Sequence, residues 1–105
     1  MNRYCFQLQV DPAHLDEYKR RHAEVWPEMK DALRASGWRN YSLFLRQDGL
    51  LIGYVESALT FDEMSARMGA TDVNGRWQSE MAELFAGGGN ADVELVHLEE
   101  VFHLA

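Results

Sequence analysis

Apolar and polar positions alternate from the start of the chain, with Tyr4, Phe6, Leu8 and Val10 set against Cys5, Gln7 and Gln9. A period of two over seven residues predicts a half-buried strand. Asp11-Pro12 follows, an N-cap residue and then a proline at the first helical position, where its missing N–H costs nothing. The pattern then lengthens. Leu15, Tyr18, His22, Val25, Trp26, Met29 and Leu33 are spaced 3, 4, 3, 1, 3 and 4 apart, which predicts a helix. Pro27 removes one hydrogen bond inside it and kinks or splits it between Arg21 and Trp26. Gly37 is its natural stop.

From Arg39 to Ser57 two β-rich runs, Tyr41 to Arg46 and Leu50 to Glu56, flank Asp48-Gly49, a strong hairpin signal. Thr60 with Glu63 three residues on forms a capping box that opens a short helix to about Met68. A second helical segment is predicted from Asp72 to Ala86, with Trp77, Met81, Leu84 and Phe85 on one face. The glycines from Gly87 to Asn90 break it and supply a mobile loop, and Val93 to Leu104 is again strand-like. The order is therefore β-α-β-β-α-β with the second helix in two pieces. That is an α+β, ferredoxin-like split βαβ arrangement, an antiparallel sheet with helices on one face. Nothing within the chain covers the sheet's other face, whose apolar residues need a ligand or a second subunit.

Composition narrows the function. The 105 residues, 47% of them hydrophobic and 11% aromatic, suffice for the core of one domain spanning the whole chain, so disorder is a poor explanation. Ten Lys+Arg against 17 Asp+Glu leave a net charge of −7, which argues against nucleic acid and anionic membrane surfaces as partners. A small neutral ligand fits better. Cys5 is the single cysteine, so an intrachain disulfide and a cysteine-based zinc site are excluded. No stretch approaches 18 apolar residues, and the first residues lack a basic start followed by an apolar run. A soluble, reduced, cytoplasmic domain is the expectation.

Candidate chemistry centres on Tyr18, His22 and Trp26, which share one side of the first helix within roughly 80° of arc. In the plainer reading the histidine is a core residue bonded to a carbonyl, and the aromatics only pack. In the sharper one the aromatics wall a pocket and the imidazole moves protons near neutral pH. Spacing alone leaves both open. Arg20 and Arg21 read as a solvated face, free to pair with carboxylates from elsewhere. Glu100 interrupts an apolar strand face, so it lies at a wet edge or faces a pocket. Tyr41 is a cross-strand contact or a hydroxyl offered to a ligand; Trp77 and Trp38 read as packing. No metal is expected: His97 and His103 lie about 20 Å apart along a strand at ~3.3 Å per residue, and His-Glu-x-x-His and phosphate-loop motifs are missing.

The segment from Glu17 to Glu28, with Tyr18, Arg20-Arg21-His22 and Trp26-Pro27-Glu28, resembles the first-helix signature of the L-rhamnose mutarotase family. Asn40-Tyr41, Thr71-Asp72-Val73 with Arg76-Trp77, and Glu100 to Leu104 fall where that family has corresponding motifs. The match spans nearly the whole chain. The resemblance implies a cofactor-free, metal-free isomerase that opens and recloses a 6-deoxy-sugar by general acid–base catalysis, feeding sugar catabolism, and a homodimer resembling a barrel in which two sheets meet. It implies that His22 is the proton donor and that Tyr18, Tyr41 and Trp77 contact the sugar; Gln78 joins them as a substrate-binding candidate and Glu100 as a candidate second base. Some members carry a second tryptophan where this chain has Gln78, and an amide there changes the pocket's polarity and with it the preferred hydroxyl configuration. The alternatives are a mutarotase for another 6-deoxyhexose such as L-fucose, and a non-catalytic or monooxygenase-type ligand-binding dimer of the same architecture.

Overall fold

A computed structural model describes residues 1–86 and 95–105 of the chain. The alternating start forms β1, Asn2–Gln9, two residues longer at its N-terminal end than the apolar alternation predicts. Asp11 then caps a short 3-10 turn, its carboxylate accepting the Ala13 N–H at 2.9 Å. Helices α1, Leu15–Ala23, and α2, Pro27–Ala35, are separate: Pro27 splits the predicted helix rather than kinking it. The split follows from the missing N–H, and Pro27 becomes the first residue of α2. The hairpin is β2, Arg39–Leu45, and β3, Leu50–Ser57, turning through Gly49 at φ +93°, a backbone conformation that suits glycine.

Thr60 caps α3, Phe61–Gly69, by accepting the Glu63 N–H. Thr71 caps α4, Asp72–Met81, by accepting the Asn74 N–H and donating to the Met68 carbonyl at 2.7 Å. The predicted helix to Ala86 is shorter than expected. It tightens into a 3-10 turn over Ala82–Leu84, and Phe85 then bridges to Val10. This end is sewn to β1, since the Leu84 carbonyl accepts the Asp11 N–H at 2.8 Å and the Gln9 carbonyl accepts the Ala86 N–H at 3.0 Å.

The last strand, β4, is Val96–Leu98 only. The predicted run from Val93 to Leu104 thus overreaches: residues 93 and 94 lie outside the described residues, as does the predicted loop at Gly87 to Asn90, and residues 99–105 are exposed without regular structure. The register explains the short strand. Leu98 pairs with Cys5, so β1 has three residues left to offer, and the chain end runs past them.

The sheet has the order β2-β3-β1-β4 with every pair antiparallel, the ferredoxin-like arrangement that the element order predicts. Its inner rows carry Leu43, Phe6, Leu51 and Leu8 toward the helices, where Met29, Met68, Trp77, Met81, Leu84 and Phe85 complete the core. The outer rows follow from the same register. One runs Phe44, Ile52, Gln7, Val96 across all four strands, and the next runs Ser42, Tyr54, Cys5, Leu98. Phe44, Val96 and Leu98 stand exposed there, and no helix covers them.

Candidate functional site

Between the sheet's inner face and the helices lies an open cavity of about 570 Å³, a size within the ~300–1,000 Å³ typical of small-molecule sites. Its walls are mostly aliphatic, with Met29 and Leu33 from α2 and Leu43, Leu45 and Leu51 from the sheet. Polar groups converge on it from α1, α4 and β2: Tyr18, His22, Asn74, Gln78 and Tyr41.

His22 sits in the last turn of α1, one turn after Tyr18, and its Nδ1 lies 3.0 Å from the Tyr18 carbonyl. A carbonyl only accepts, so Nδ1 carries the proton, and Nε2 is the nitrogen left to exchange one. The imidazole is fixed on both faces of that bond. The Tyr18 ring stacks on it at 4.1 Å and 21°, and Trp77 meets it edge-on at 5.4 Å. Half-burial pushes the His22 pKa below the ordinary imidazole value, opposed by the bond to the Tyr18 carbonyl, so the ring is neutral near pH 7. Tyr18 is 5% exposed, and burial, with a smaller contribution from nearby Tyr41, raises its phenol well above the usual range. The phenol therefore stays protonated and offers a hydrogen rather than taking one.

Tyr41 lies on β2 against Trp38 at 4.8 Å and Phe6 at 6.4 Å, and it lines the cavity. Trp77, the buried head of the apolar face of α4, lines it too. Trp26 does not. It heads α2 and packs edge-on against Trp77 at 5.0 Å, on the far side from the hollow. Of the six sequence candidates, His22, Tyr18, Tyr41, Trp77 and Gln78 thus come together around one space.

Glu100 does not join them. It extends from the end of β4 to Arg3, whose Nη2 donates to Oε1 at 2.8 Å, and this guanidinium holds its carboxyl below the usual range. The wet-edge reading of Glu100 fits, and the expectation of a second base in the pocket is withdrawn because its carboxylate is bound elsewhere. His97 on β4 faces inward, its ring 4.7 Å from Phe61.

Two neighbours of the site act through position. Arg21 donates Nε to Glu17 at 2.7 Å, Nη2 to Glu83 at 2.9 Å and Nη1 to the Glu80 carbonyl, tying α1 to the end of α4. Arg20 and Arg21 together hold the Glu17 carboxyl down to about 2. Among the residues that the sequence did not single out, Asn74 and Trp38 also line the cavity. The signal for Asn74 was present: it is four residues before Gln78, a polar position on the face that Trp77 marks as buried. Among the described residues no group of three or more His, Cys, Asp or Glu could hold a metal ion.

A family model described as L-rhamnose mutarotase matches residues 3–104. An L-rhamnose mutarotase of Burkholderia orbicola is 38% identical over 104 residues, covering 99% of each chain. One from Bacillus subtilis is 39% identical over 105 residues, again covering 99% of each. The crystal structure of an L-rhamnose mutarotase from Formosa agariphila superposes with a TM-score of 0.81 over 100% of both chains at 25% identity.

Proposed function

Because the chain belongs to the L-rhamnose mutarotase family, we propose that its cavity turns over L-rhamnopyranose with His22 as the proton-transfer group. The activity is that of an isomerase that interconverts the α and β anomers of the sugar. The observation that carries the residue assignment is the restrained, neutral imidazole whose Nδ1 is tied to the Tyr18 carbonyl at the wall of a sugar-sized hollow.

Mutarotation needs little else. Nε2 of His22 takes the proton of the anomeric hydroxyl as the bond between C1 and the ring oxygen breaks. The imidazolium returns that proton to the departing ring oxygen, which shares C1 with the anomeric oxygen and so lies within reach of the same nitrogen. The open aldehyde rotates about C1–C2, and the reverse transfers close the ring on its other face. No electrons are exchanged and no group is lost. Tyr18, kept protonated by burial, donates to a sugar oxygen and orients it. Tyr41 and Gln78 supply further polar contacts, and Trp77 and the aliphatic wall take the C–H face and the methyl group. General acid–base catalysis of this kind contributes ~10²–10⁴-fold.

The same reading includes a homodimer. The exposed outer rows of the sheet, with Phe44 at 63% and Val96 at 52% exposure, form an apolar face that a second copy of itself would cover. It also includes action in the cytoplasm, in keeping with a free Cys5 and no intrachain disulfide. Saturation-exchange NMR on L-rhamnose tests the central step. His22→Ala, with folding checked by circular dichroism, is expected to slow anomer exchange by at least about tenfold. Exchange within twofold of the wild type removes His22 from the mechanism, and a wild type that does not accelerate exchange overturns the function.

A further inference from the structure

Helix α4 presents an amide at two positions one turn apart, Asn74 and Gln78, and both line the cavity. Gln78 Nε2 donates to Asn74 Oδ1 over 3.4 Å. Asn74 is 5% exposed, and of the buried polar side chains among the described residues, Ser36, Ser57 and Asn74, it is the one at the cavity wall. A primary amide withdrawn from water is costly beside aliphatic neighbours unless its hydrogen bonding is matched. The helix start does not require it there, because the backbone N–H of Asn74 already bonds to the Thr71 hydroxyl. The contact between the two amides is at the long limit of a hydrogen bond. A hydroxyl placed between them donates to Oδ1 and accepts from Nε2 at better lengths. Trp77, between them in sequence, meets the His22 ring at 5.4 Å, so the pair stands beside the proton-transfer group.

We infer that Asn74, acting with Gln78, is a specificity-determining residue that fixes one ring hydroxyl of the sugar and thereby selects the hydroxyl configuration turned over. The inference rests on the mutarotase reading above. The facing wall, Leu33, Leu43 and Leu45, offers no side-chain polar atom, so a pyranose is oriented by the asymmetry of the hollow: hydroxyl toward α4, C–H face and methyl toward the sheet. An epimer whose hydroxyl points the other way loses that contact and sets the hydroxyl against hydrocarbon.

The test is anomer exchange by NMR on L-rhamnose, L-mannose and L-fucose, with the wild type and Asn74→Leu, a substitution of similar shape. L-Mannose shares the ring-hydroxyl configuration of L-rhamnose, and L-fucose differs at C2 and C4. The expected result is a KM about 3–10-fold higher for L-rhamnose and L-mannose, with kcat within about twofold, and a preference over L-fucose reduced by the same factor. A purely structural role for Asn74 does not move the ratio between sugars. If circular dichroism shows Asn74→Leu unfolded, Gln78→Leu, at a half-exposed position, carries the same expectation. Unchanged KM and sugar ratios in a folded variant, or a loss in kcat alone, overturn the inference while leaving the mutarotase reading intact. A wild type inactive on all three sugars overturns both.

Discussion

Gly53 and Phe6 are cross-strand partners in the centre of the sheet, and the Phe6 ring lies over the glycine where a side chain would stand. A Cβ added at Gly53 comes within 2.5 Å of Phe6 Cε2 and 2.8 Å of Cε1, with Cζ nearer still. Carbon atoms in ordinary contact stay ~3.5–4.0 Å apart, so the ring must move by about 1 Å. It has little room to do so. Phe6 is 2% exposed and boxed by Phe61 at 5.8 Å and Tyr41 at 6.4 Å, and the clash is with a ring held among them rather than a flexible tip. Overpacking of this kind costs about 1–3 kcal/mol, offset by ~0.5–1 kcal/mol because alanine is the better strand residue. Gly53→Ala should therefore destabilise the fold by about 1–2 kcal/mol in urea melts. Phe6→Leu removes the opposing ring, so Gly53→Ala added to it should cost under ~0.5 kcal/mol, and the cycle should show a coupling of about 1 kcal/mol. Because Tyr41 lines the cavity, the displaced ring should also raise KM for the sugar. An alanine tolerated at no cost beside Phe6, or one equally costly in both backgrounds, refutes the packing argument.

Anomer exchange should be level near neutral pH and fall as pH drops through a value below the ordinary imidazole pKa of about 6.5, because neutral His22 is the competent form and burial lowers its pKa. A pH–rate profile checks this, and His22→Ala should abolish that acid limb. Linkage gives the same direction for stability: a depressed folded-state pKa contributes stability above the unfolded value and loses it as pH falls through the folded one, so melts should show a loss below about pH 6.5. Phe44→Asp tests the dimer by light scattering, since a carboxylate placed in an apolar interface without a partner costs about 3 kcal/mol or more, on the order of 100-fold in dissociation constant. A dimer unaffected by that change places the interface elsewhere, and a monomeric wild type removes the dimer altogether.

Local chemistry made much of the fold legible. Asp11-Pro12, Pro27, Asp48-Gly49 and Thr60 with Glu63 each act within a few residues of themselves, and each does in the structure what its side chain or ring dictates. The end of the last strand was not legible, because alternation shows only that a segment suits an extended, half-buried conformation. Whether it pairs depends on a neighbour, and β1 runs out at Asn2. The same blindness misled at Glu100. Its alternation with Val96 and Leu98 is real, but the face they share is the outer one, and there Arg3 takes the carboxylate. Asn74 escaped notice for the opposite reason. It lies in a segment read for its apolar positions, and a single amide among them reads as a helix surface until the tertiary fold buries it.

The choice between a packed histidine and a catalytic one, open on spacing alone, is dissolved by the geometry. His22 is bonded to the carbonyl one turn before it, as the plainer reading expects, and it also lines the hollow, as the sharper one expects. The first makes the second effective. An imidazole free to turn about its χ angles would present either nitrogen and lose much of the advantage of position, whereas this one is set by a backbone acceptor, a stacked phenol ring and the edge contact with Trp77. Trp77 is in turn braced by Trp26, which stands at the start of α2 because Pro27 ends the preceding helix. The aromatic stripe is thus core and site wall at once, and a helix break written in one proline helps to aim a nitrogen five residues earlier.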